Sequence, residues 1–195
     1  MSINNDALTL DQLSDQEFEL CKRVATLSGT IEARQEQLQL SGIGKNYQSI
    51  HYEYLALAAH AADASTRLEA LKRVVFLSWY GNEMVEPDFF SGLAYVDSSL
   101  IRASYKQLDY YLAEYTADPE MQWMLSFYSS WHDFIPAFSD VTLPYLLAFV
   151  AAVDHTVLHV PKCQLPAHTM DHRGQMGLYW QSMGVENISA PSPSQ

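Results

Sequence analysis

Four of the seven histidines and one of the two cysteines lie close together near the C-terminal end of the sequence. These residues are His155, His159, Cys163, His168 and His172. The histidines form two pairs with a spacing of four residues, which places both rings of a pair on one face of a helix. Imidazole nitrogens and a thiolate are ligands that tetrahedral zinc prefers. The cluster therefore predicts a metal site, structural or catalytic, with zinc as the expected ion.

A second interpretation of the same histidines needs no metal. Their spacing follows neither the His-Glu-x-x-His pattern nor a Cys-x-x-Cys pair, which are established zinc signatures. A protonated histidine near the C-terminus of a helix is also stabilised by the helix dipole. These histidines are then ordinary surface or core residues.

The acidic and aromatic character of residues 107–161 indicates a different function. This stretch holds seven acids and eleven aromatic residues but no lysine or arginine, in a chain of formal net charge −12. Such a surface repels nucleic-acid backbones and anionic membranes, whereas it attracts a basic protein. Exposed aromatic residues would hold that partner. The predicted contact residues are those that are not needed to fill the core: Glu83, Glu86, Asp88, Phe89, Phe90, Tyr95, Tyr110 and Glu114.

Other kinds of active site find little support in the sequence. Gly-x-Ser-x-Gly, a phosphate-binding glycine loop and the Glu-x-x-His motif of di-iron bundles are all absent. The neighbouring Lys162 could lower the pKa of the Cys163 thiol, but a plain surface thiol explains this residue equally well. An enzyme with a carboxylate or thiol site between helices is a third hypothesis, and the sequence favours a protein that is not an enzyme.

Length and composition indicate one globular domain in the cytoplasm. The chain has 195 residues, of which 48% are hydrophobic and 17% charged. Its first 20 residues contain five acids and no base, unlike a secretory signal. The longest apolar run, residues 143–153, is too short for a bilayer core of roughly 30 Å. Two cysteines do not make a disulfide framework, so both thiols are expected to be free.

The elements that must position these residues are helices, because no strand pattern of convincing length occurs. Capping boxes at 14–17 and 66–69 predict two helix starts. Asp97 or Ser98 predicts a third, and the triplet 118–120 (Asp-Pro-Glu) predicts a fourth. A further helix is expected over residues 143–160, with Thr142 as its cap and Pro161 as its terminator, and a short one over residues 175–183.

Apolar spacing predicts which helix faces are buried. Residues 67–80 are apolar almost all round, which indicates a central buried helix, and Glu69 should pair with Arg73 one turn later. In the helix that follows Asp97 the apolar stripe leaves Tyr110 exposed. The predicted members of that stripe are Ile101, Tyr105, Leu108, Leu112 and Tyr115.

The expected architecture is all-α: a single-domain helical bundle of about six or seven helices with short connections. Residues 1–13 form a loose lead-in, 14–184 the helical domain and 185–195 a disordered tail. The first functional hypothesis is an acidic interaction module of inhibitor, immunity or adaptor type that binds a basic protein partner. The alternative is a metal-binding protein with the C-terminal histidine and cysteine site. A homo-oligomer is a further option, since the apolar helix over 121–134 must be covered.

Overall fold

The computed structural model describes residues 8–82, 93, 97–130 and 142–187. Across these residues the chain is mostly helical, and the all-α prediction is confirmed. The described residues contain one small sheet, in which β1 (Leu165–Pro166) pairs in parallel with β2 (Glu186–Asn187). The helices are α1 Leu10–Ala25, α2 Ile31–Ser41, α3 Ile43–His60, α4 Ala64–Asn82, α5 Ser98–Glu114, α6 Pro119–Ser129, α7 Pro144–Ala152 and α8 Gly174–Ser182.

Helix α4 is the central element of the fold. It packs against α3, α5 and α8, and α1 in turn lies against α3 and α8. Its residues 74–77 are all buried, as the apolar spacing predicted. Trp79 of α4 stacks on Tyr128 of α6 with ring centroids 4.5 Å apart, and Trp180 of α8 packs against the same aromatic group. The aromatic residues of three helices therefore form one shared core.

Two helix starts follow the local signals. The Asp118 carboxylate accepts a hydrogen bond from the Met121 N–H at 2.7 Å, and Pro119 occupies the first turn of α6. Asp97 caps α5 by accepting from the Ser99 N–H at 2.7 Å. In both places the side chain satisfies an amide that the helix itself leaves unpaired.

The two predicted capping boxes are wrong. Helix α1 begins one turn before Ser14, with Thr9 as its cap: the Thr9 hydroxyl accepts from the Gln12 N–H, and the Gln12 side-chain oxygen accepts from the Thr9 N–H. Residues 10–13 of the expected lead-in are therefore helical, and Leu13 is buried. Helix α4 begins at Ala64, and there the Asp63 carboxylate accepts from the Thr66 N–H at 2.7 Å. Three polar side chains of the predicted boxes instead contact the start of α8: Ser14 binds Gly174, Glu17 binds Gln175, and Glu69 binds Arg173.

Helix α7 is shorter than its sequence pattern suggests. It ends at Ala152, and Val153 has an extended backbone instead of continuing to residue 160. Leu143, rather than Thr142, is its N-cap residue, without a side-chain hydrogen bond. After the helix, the Asp154 carboxylate accepts from both the amide and the hydroxyl of Thr156. This side-chain turn competes with helix formation.

The last described residues belong to the folded domain. Val185 is buried, and the buried Met170 N–H donates to the Glu186 carboxylate at 2.5 Å. Residues 185–187, which were expected to belong to a disordered tail, are therefore ordered, and the rest of that expected tail, residues 188–195, lies outside the described part. The short helix predicted over residues 175–183 is confirmed as α8, which begins one residue earlier, at Gly174.

Candidate functional site

The predicted metal ligands lie on irregular backbone. His155 and His159 follow the end of α7, so they do not share a helix face. The Nε2 atoms of these rings lie 3.2 Å from the Val150 carbonyl oxygen and 3.0 Å from the Asp154 carbonyl oxygen. Because a carbonyl only accepts, both Nε2 atoms carry a proton and are not free to bind a metal there.

The remaining predicted ligands adopt an uncommon backbone conformation. Cys163, His168 and His172 all have positive φ angles, between 54° and 70°. The Nδ1 atom of His168 lies 2.8 Å from an Asp171 carboxylate oxygen, and Cys163 is a free, exposed thiol. Among the described residues, no group of three or more His, Cys, Asp or Glu could hold a metal ion. Zinc binding stays a prediction without support from this arrangement.

An open groove lies between the end of α3, the start of α4 and the second half of α5. Its volume is about 380 Å³. The end of α3 and the first residue of α4 contribute alanines, and small side chains leave space between helices. The lining residues are Ala58, Ala59, Ala64, Arg67, Leu68, Leu71, Gln107, Tyr110, Tyr111, Glu114 and Tyr115. We call this feature the tyrosine groove.

Three tyrosines of α5 and its C-cap give the groove its aromatic wall. Tyr110 is 55% exposed and Tyr115 is 61% exposed. The rings of Tyr111 and Tyr115 stack with centroids 5.2 Å apart. Partial burial raises the pKa of Tyr111, and the nearby Asp118 raises it further. The three rings offer aromatic faces together with hydroxyl groups.

The charged groups of the groove differ in how they are paired. The Arg67 guanidinium donates to the carbonyl oxygens of Ala61 and Ala62, at 2.6 and 3.0 Å, just after α3. Glu114 is exposed and has neither a hydrogen bond nor an ion pair with any described residue. The groove thus presents a carboxylate that is available to a cation, whereas its arginine is engaged by backbone.

The structure brings together two of the predicted contact residues, Tyr110 and Glu114, and the predicted exposure of Tyr110 is confirmed. Tyr115 was expected in the core, and that prediction is wrong. Helix α5 ends at Glu114, and Tyr115 takes an extended backbone that turns it off the buried stripe. The other predicted contact residues lie outside the described part of the chain: Glu83, Glu86, Asp88, Phe89, Phe90 and Tyr95.

A second polar arrangement joins α4, α6 and the start of α8, and we call it the interhelical ionic cluster. Arg173 binds Glu69 of α4, at 2.5 Å, and also Glu120 of α6. The predicted Glu69–Arg73 pair is present at 2.8 Å. Lys72 binds Glu120 and Asp118 at 2.5 and 2.7 Å. The cluster consists of Glu69, Lys72, Arg73, Asp118, Glu120 and Arg173.

Electrostatics in this cluster favour the charged forms. Burial by itself would raise the pKa of Glu69, but Arg173 and Arg73 outweigh it and hold the pKa at about 2. The Arg73 guanidinium also donates to the carbonyl oxygens of Leu10 and His172. The cluster therefore ties the N-terminal helix, the central helix and the C-terminal segment together.

Glu17 lies beside this cluster and caps α8. The side chain is buried, and its carboxyl group accepts from the Tyr54 hydroxyl at 2.5 Å and from the Gln175 N–H at 2.9 Å. Ser14 accepts from the Gly174 N–H at 2.7 Å. Burial raises the pKa of Glu17 to about 7, against the opposing effects of Tyr54, Gln175 and Arg73. The predicted capping pair thus caps a helix distant in the sequence.

A buried histidine and two serines join α3, α4 and α5. The His51 Nε2 atom lies 2.9 Å from the Ser104 hydroxyl and 3.2 Å from the Ser78 hydroxyl. Both hydroxyls donate to carbonyl oxygens of their own helices, at 2.8 Å. Nε2 must then carry the proton, so His51 is no base for either serine. Burial lowers the pKa of His51 to about 4, and the group is a structural link.

Comparison with protein-family models, with curated proteins and with solved structures gave no match. Within the described ranges, no helix is both long and apolar enough to cross a membrane. Among the described residues, the tyrosine groove is an accessible candidate site.

Proposed function

We propose that this chain is an acidic, all-helical interaction module of inhibitor, immunity or adaptor type, and that it binds a basic protein partner at the tyrosine groove in the cytoplasm. The observation that supports this most directly is the Glu114 carboxylate, which has no partner among the described residues and lies beside three tyrosines in an open groove of about 380 Å³. Tyrosine buries a large area at low conformational cost while keeping a hydroxyl for hydrogen bonding.

The charge of the chain supports a basic partner. The net charge is −12, and no lysine or arginine follows Lys106 until Lys162. A surface of one sign speeds the encounter with an oppositely charged protein, and the effect weakens as salt screens it. The aromatic residues then hold the complex over short distances. This division of roles predicts that association is fast at low ionic strength and sensitive to salt.

The shape of the groove favours binding of a surface segment of the partner rather than of a small molecule enclosed in a deep pocket. Exposed tyrosines at its rim leave it accessible from the solvent. Its lining includes Leu68 and Leu71 of α4 together with the alanines near the end of α3. One or two side chains of a partner fit a site of this volume, and the surrounding surface would supply the rest of the interface.

The test is an NMR titration with two capped hexapeptides of equal length, one with net charge +3 and one with −3. We expect the cationic peptide alone to shift the amide signals of groove residues, and high salt to weaken the binding. Glu114→Lys should raise the Kd at least about tenfold, because like charges oppose binding. The matched control is Glu36→Lys, which makes the same charge change at an exposed position of α2.

Two results would overturn the proposal. One is binding of the cationic peptide that Glu114→Lys and Glu36→Lys weaken equally, since that would reflect net charge alone. The other is a set of shifted signals confined to residues outside the tyrosine groove.

A further inference from the structure

The chain contains its own example of how tyrosine and glutamate hold a guanidinium. The Arg73 guanidinium carbon lies 5.7 Å from the centre of the Tyr54 ring, and its Nε atom donates to Glu69 at 2.8 Å. The aromatic face attracts the cation through its quadrupole, while the carboxylate accepts its hydrogen bonds. These two components together specify a planar cation better than either one does alone.

The tyrosine groove presents the same two components to the solvent. Glu114 and Tyr115 are consecutive residues at the end of α5, and Tyr110 lies one turn before Glu114. The ring of Tyr110 already attracts a cation within the chain, since the Lys106 Nζ atom lies 5.7 Å from its centre. The aromatic wall is thus suited to positive charge, and Glu114 has no cationic partner among the described residues.

The end of α5 adds a third attraction for a cation. The carbonyl groups of a last helical turn carry a partial negative charge. Helix α5 has no basic residue in its last turn to offset that charge. On the α4 side, the positive charge of Arg67 is directed at the carbonyl oxygens of Ala61 and Ala62. The most negative part of the groove therefore lies around Glu114 and Tyr115.

We infer that the tyrosine groove selects arginine: an arginine side chain of the partner places its guanidinium against Tyr115 and pairs it with Glu114. This inference rests on the proposed function and names the residue type that the groove recognises. The guanidinium is planar and weakly hydrated, so it stacks on an aromatic ring and pairs with a carboxylate at the same time. The lysine ammonium is a compact, strongly hydrated charge, and it gains less from the ring. The aliphatic part of the arginine would lie over Leu68 and Leu71.

The experiment compares three capped hexapeptides that differ only at one central residue, which is arginine, lysine or citrulline. Isothermal titration calorimetry gives the Kd of each for the full chain. Arginine should bind about two- to fivefold more tightly than lysine, as expected for a partly exposed cation–π contact. Citrulline keeps the shape without the charge, and it should bind at least about tenfold more weakly than arginine.

Variants of Tyr115 separate the ring from the charge. Tyr115→Leu should remove the preference for arginine over lysine, whereas Tyr115→Phe keeps the aromatic face and should retain it. Tyr52→Leu is the matched control, because Tyr52 is 61% exposed like Tyr115 but lies on α3 away from the groove lining. Circular dichroism melts of each variant establish that the fold is intact.

The possible results distinguish the two proposals. If the arginine and lysine peptides bind equally and Glu114→Lys weakens both, the groove binds basic segments but the inferred arginine selectivity is wrong. If the preference for arginine persists in Tyr115→Leu, the recognition of guanidinium lies elsewhere and the inference is also wrong. If Glu114→Lys leaves the binding of every peptide unchanged, or if no peptide binds, both the inference and the proposed function fail.

Discussion

The interhelical ionic cluster and the tyrosine groove use the same residue types for different purposes. In the cluster, Glu69 and Glu120 are paired with Arg173, and the ring of Tyr54 lies against Arg73. In the groove, Glu114 and Tyr115 are exposed, and Glu114 has no partner in the described part of the chain. Charged groups satisfied by their own chain stabilise the fold, whereas exposed groups of the same type are available for binding.

This difference predicts where a substitution affects stability and where it affects binding. Removing one member of a buried pair leaves the opposite charge uncompensated in a poorly solvated place. Removing an exposed side chain mainly changes what water or a partner can contact. Four measurements of the free energy of unfolding test this distinction.

The largest effect is expected for Arg173→Met. The change leaves Glu69 and Glu120 without their shared arginine, and only Arg73 and Lys72 remain to compensate them. We expect the free energy of unfolding in urea to fall by about 3–5 kcal/mol. Lys45→Met is the matched control, because Lys45 is exposed on α3, and it should change stability by less than about 0.5 kcal/mol. Equal effects of the two variants would refute the stabilising role of the cluster.

The next effect concerns the contact between α1 and α8. Gly174 has φ +56°, and an added Cβ atom would meet the Glu17 carboxyl group. Gly42 has φ +70° but open space around the corresponding position. Gly42→Ala should cost about 1 kcal/mol for the left-handed backbone alone. Gly174→Ala should cost about 2 kcal/mol more because of the steric conflict. Losses of equal size in the two urea titrations would show that the close approach of Glu17 is unimportant.

A third measurement uses pH to test the buried carboxyl group. The pKa of Glu17 is raised to about 7 from an ordinary value of 4.5, so folding favours its protonated form. Its contribution to stability is complete below pH 4.5 and is lost as the pH rises through about 7. Glu17→Gln keeps the neutral shape and removes this titration.

As the pH rises from 4.5 to about 7, the free energy of unfolding of the Glu17→Gln variant should therefore increase by about 3 kcal/mol relative to that of the original chain. The comparison of variant and original cancels the titrations of all other groups to first order. Urea unfolding at four or five pH values provides the curve. A stability difference that stays constant over this range would mean that Glu17 titrates normally.

The smallest effects on stability are expected in the tyrosine groove. Tyr115→Leu and Glu114→Lys change exposed side chains, and each should alter the free energy of unfolding by less than about 0.5 kcal/mol. The same variants are expected to weaken peptide binding, so the effect on binding is distinguished from the effect on stability. A loss of stability similar to that of Arg173→Met would place these residues in the structural framework, and the contrast between cluster and groove would then disappear.

Local signals in the sequence predicted several elements correctly. Asp118 and Pro119 mark the start of α6, and Asp97 marks the start of α5, because a cap and its amide lie within three residues of each other. The buried face of α4 follows from apolar spacing over a few turns. The all-α class and the exposure of Tyr110 depend on the same short-range information.

Predictions from signals that depend on distant partners are wrong. Ser14 and Glu17 have the spacing of a capping box, but they bind the amides of Gly174 and Gln175 in α8. His155 and His159 have the spacing of a helix face, yet the turn around Asp154 places both outside α7. In these cases the spacing is compatible with two structures, and packing against another part of the chain selects between them.

The sequence by itself determined the helical class, the starts of α5 and α6, the central position of α4 and the negative net charge of the chain. These properties follow from the residue types and from spacings within a few turns. Only the tertiary structure decided that Glu17 and Arg173 are buried structural groups while Glu114 and Tyr115 are accessible in a groove. The physical reason is that burial and charge compensation depend on residues that are distant in the sequence and become neighbours only in the folded chain.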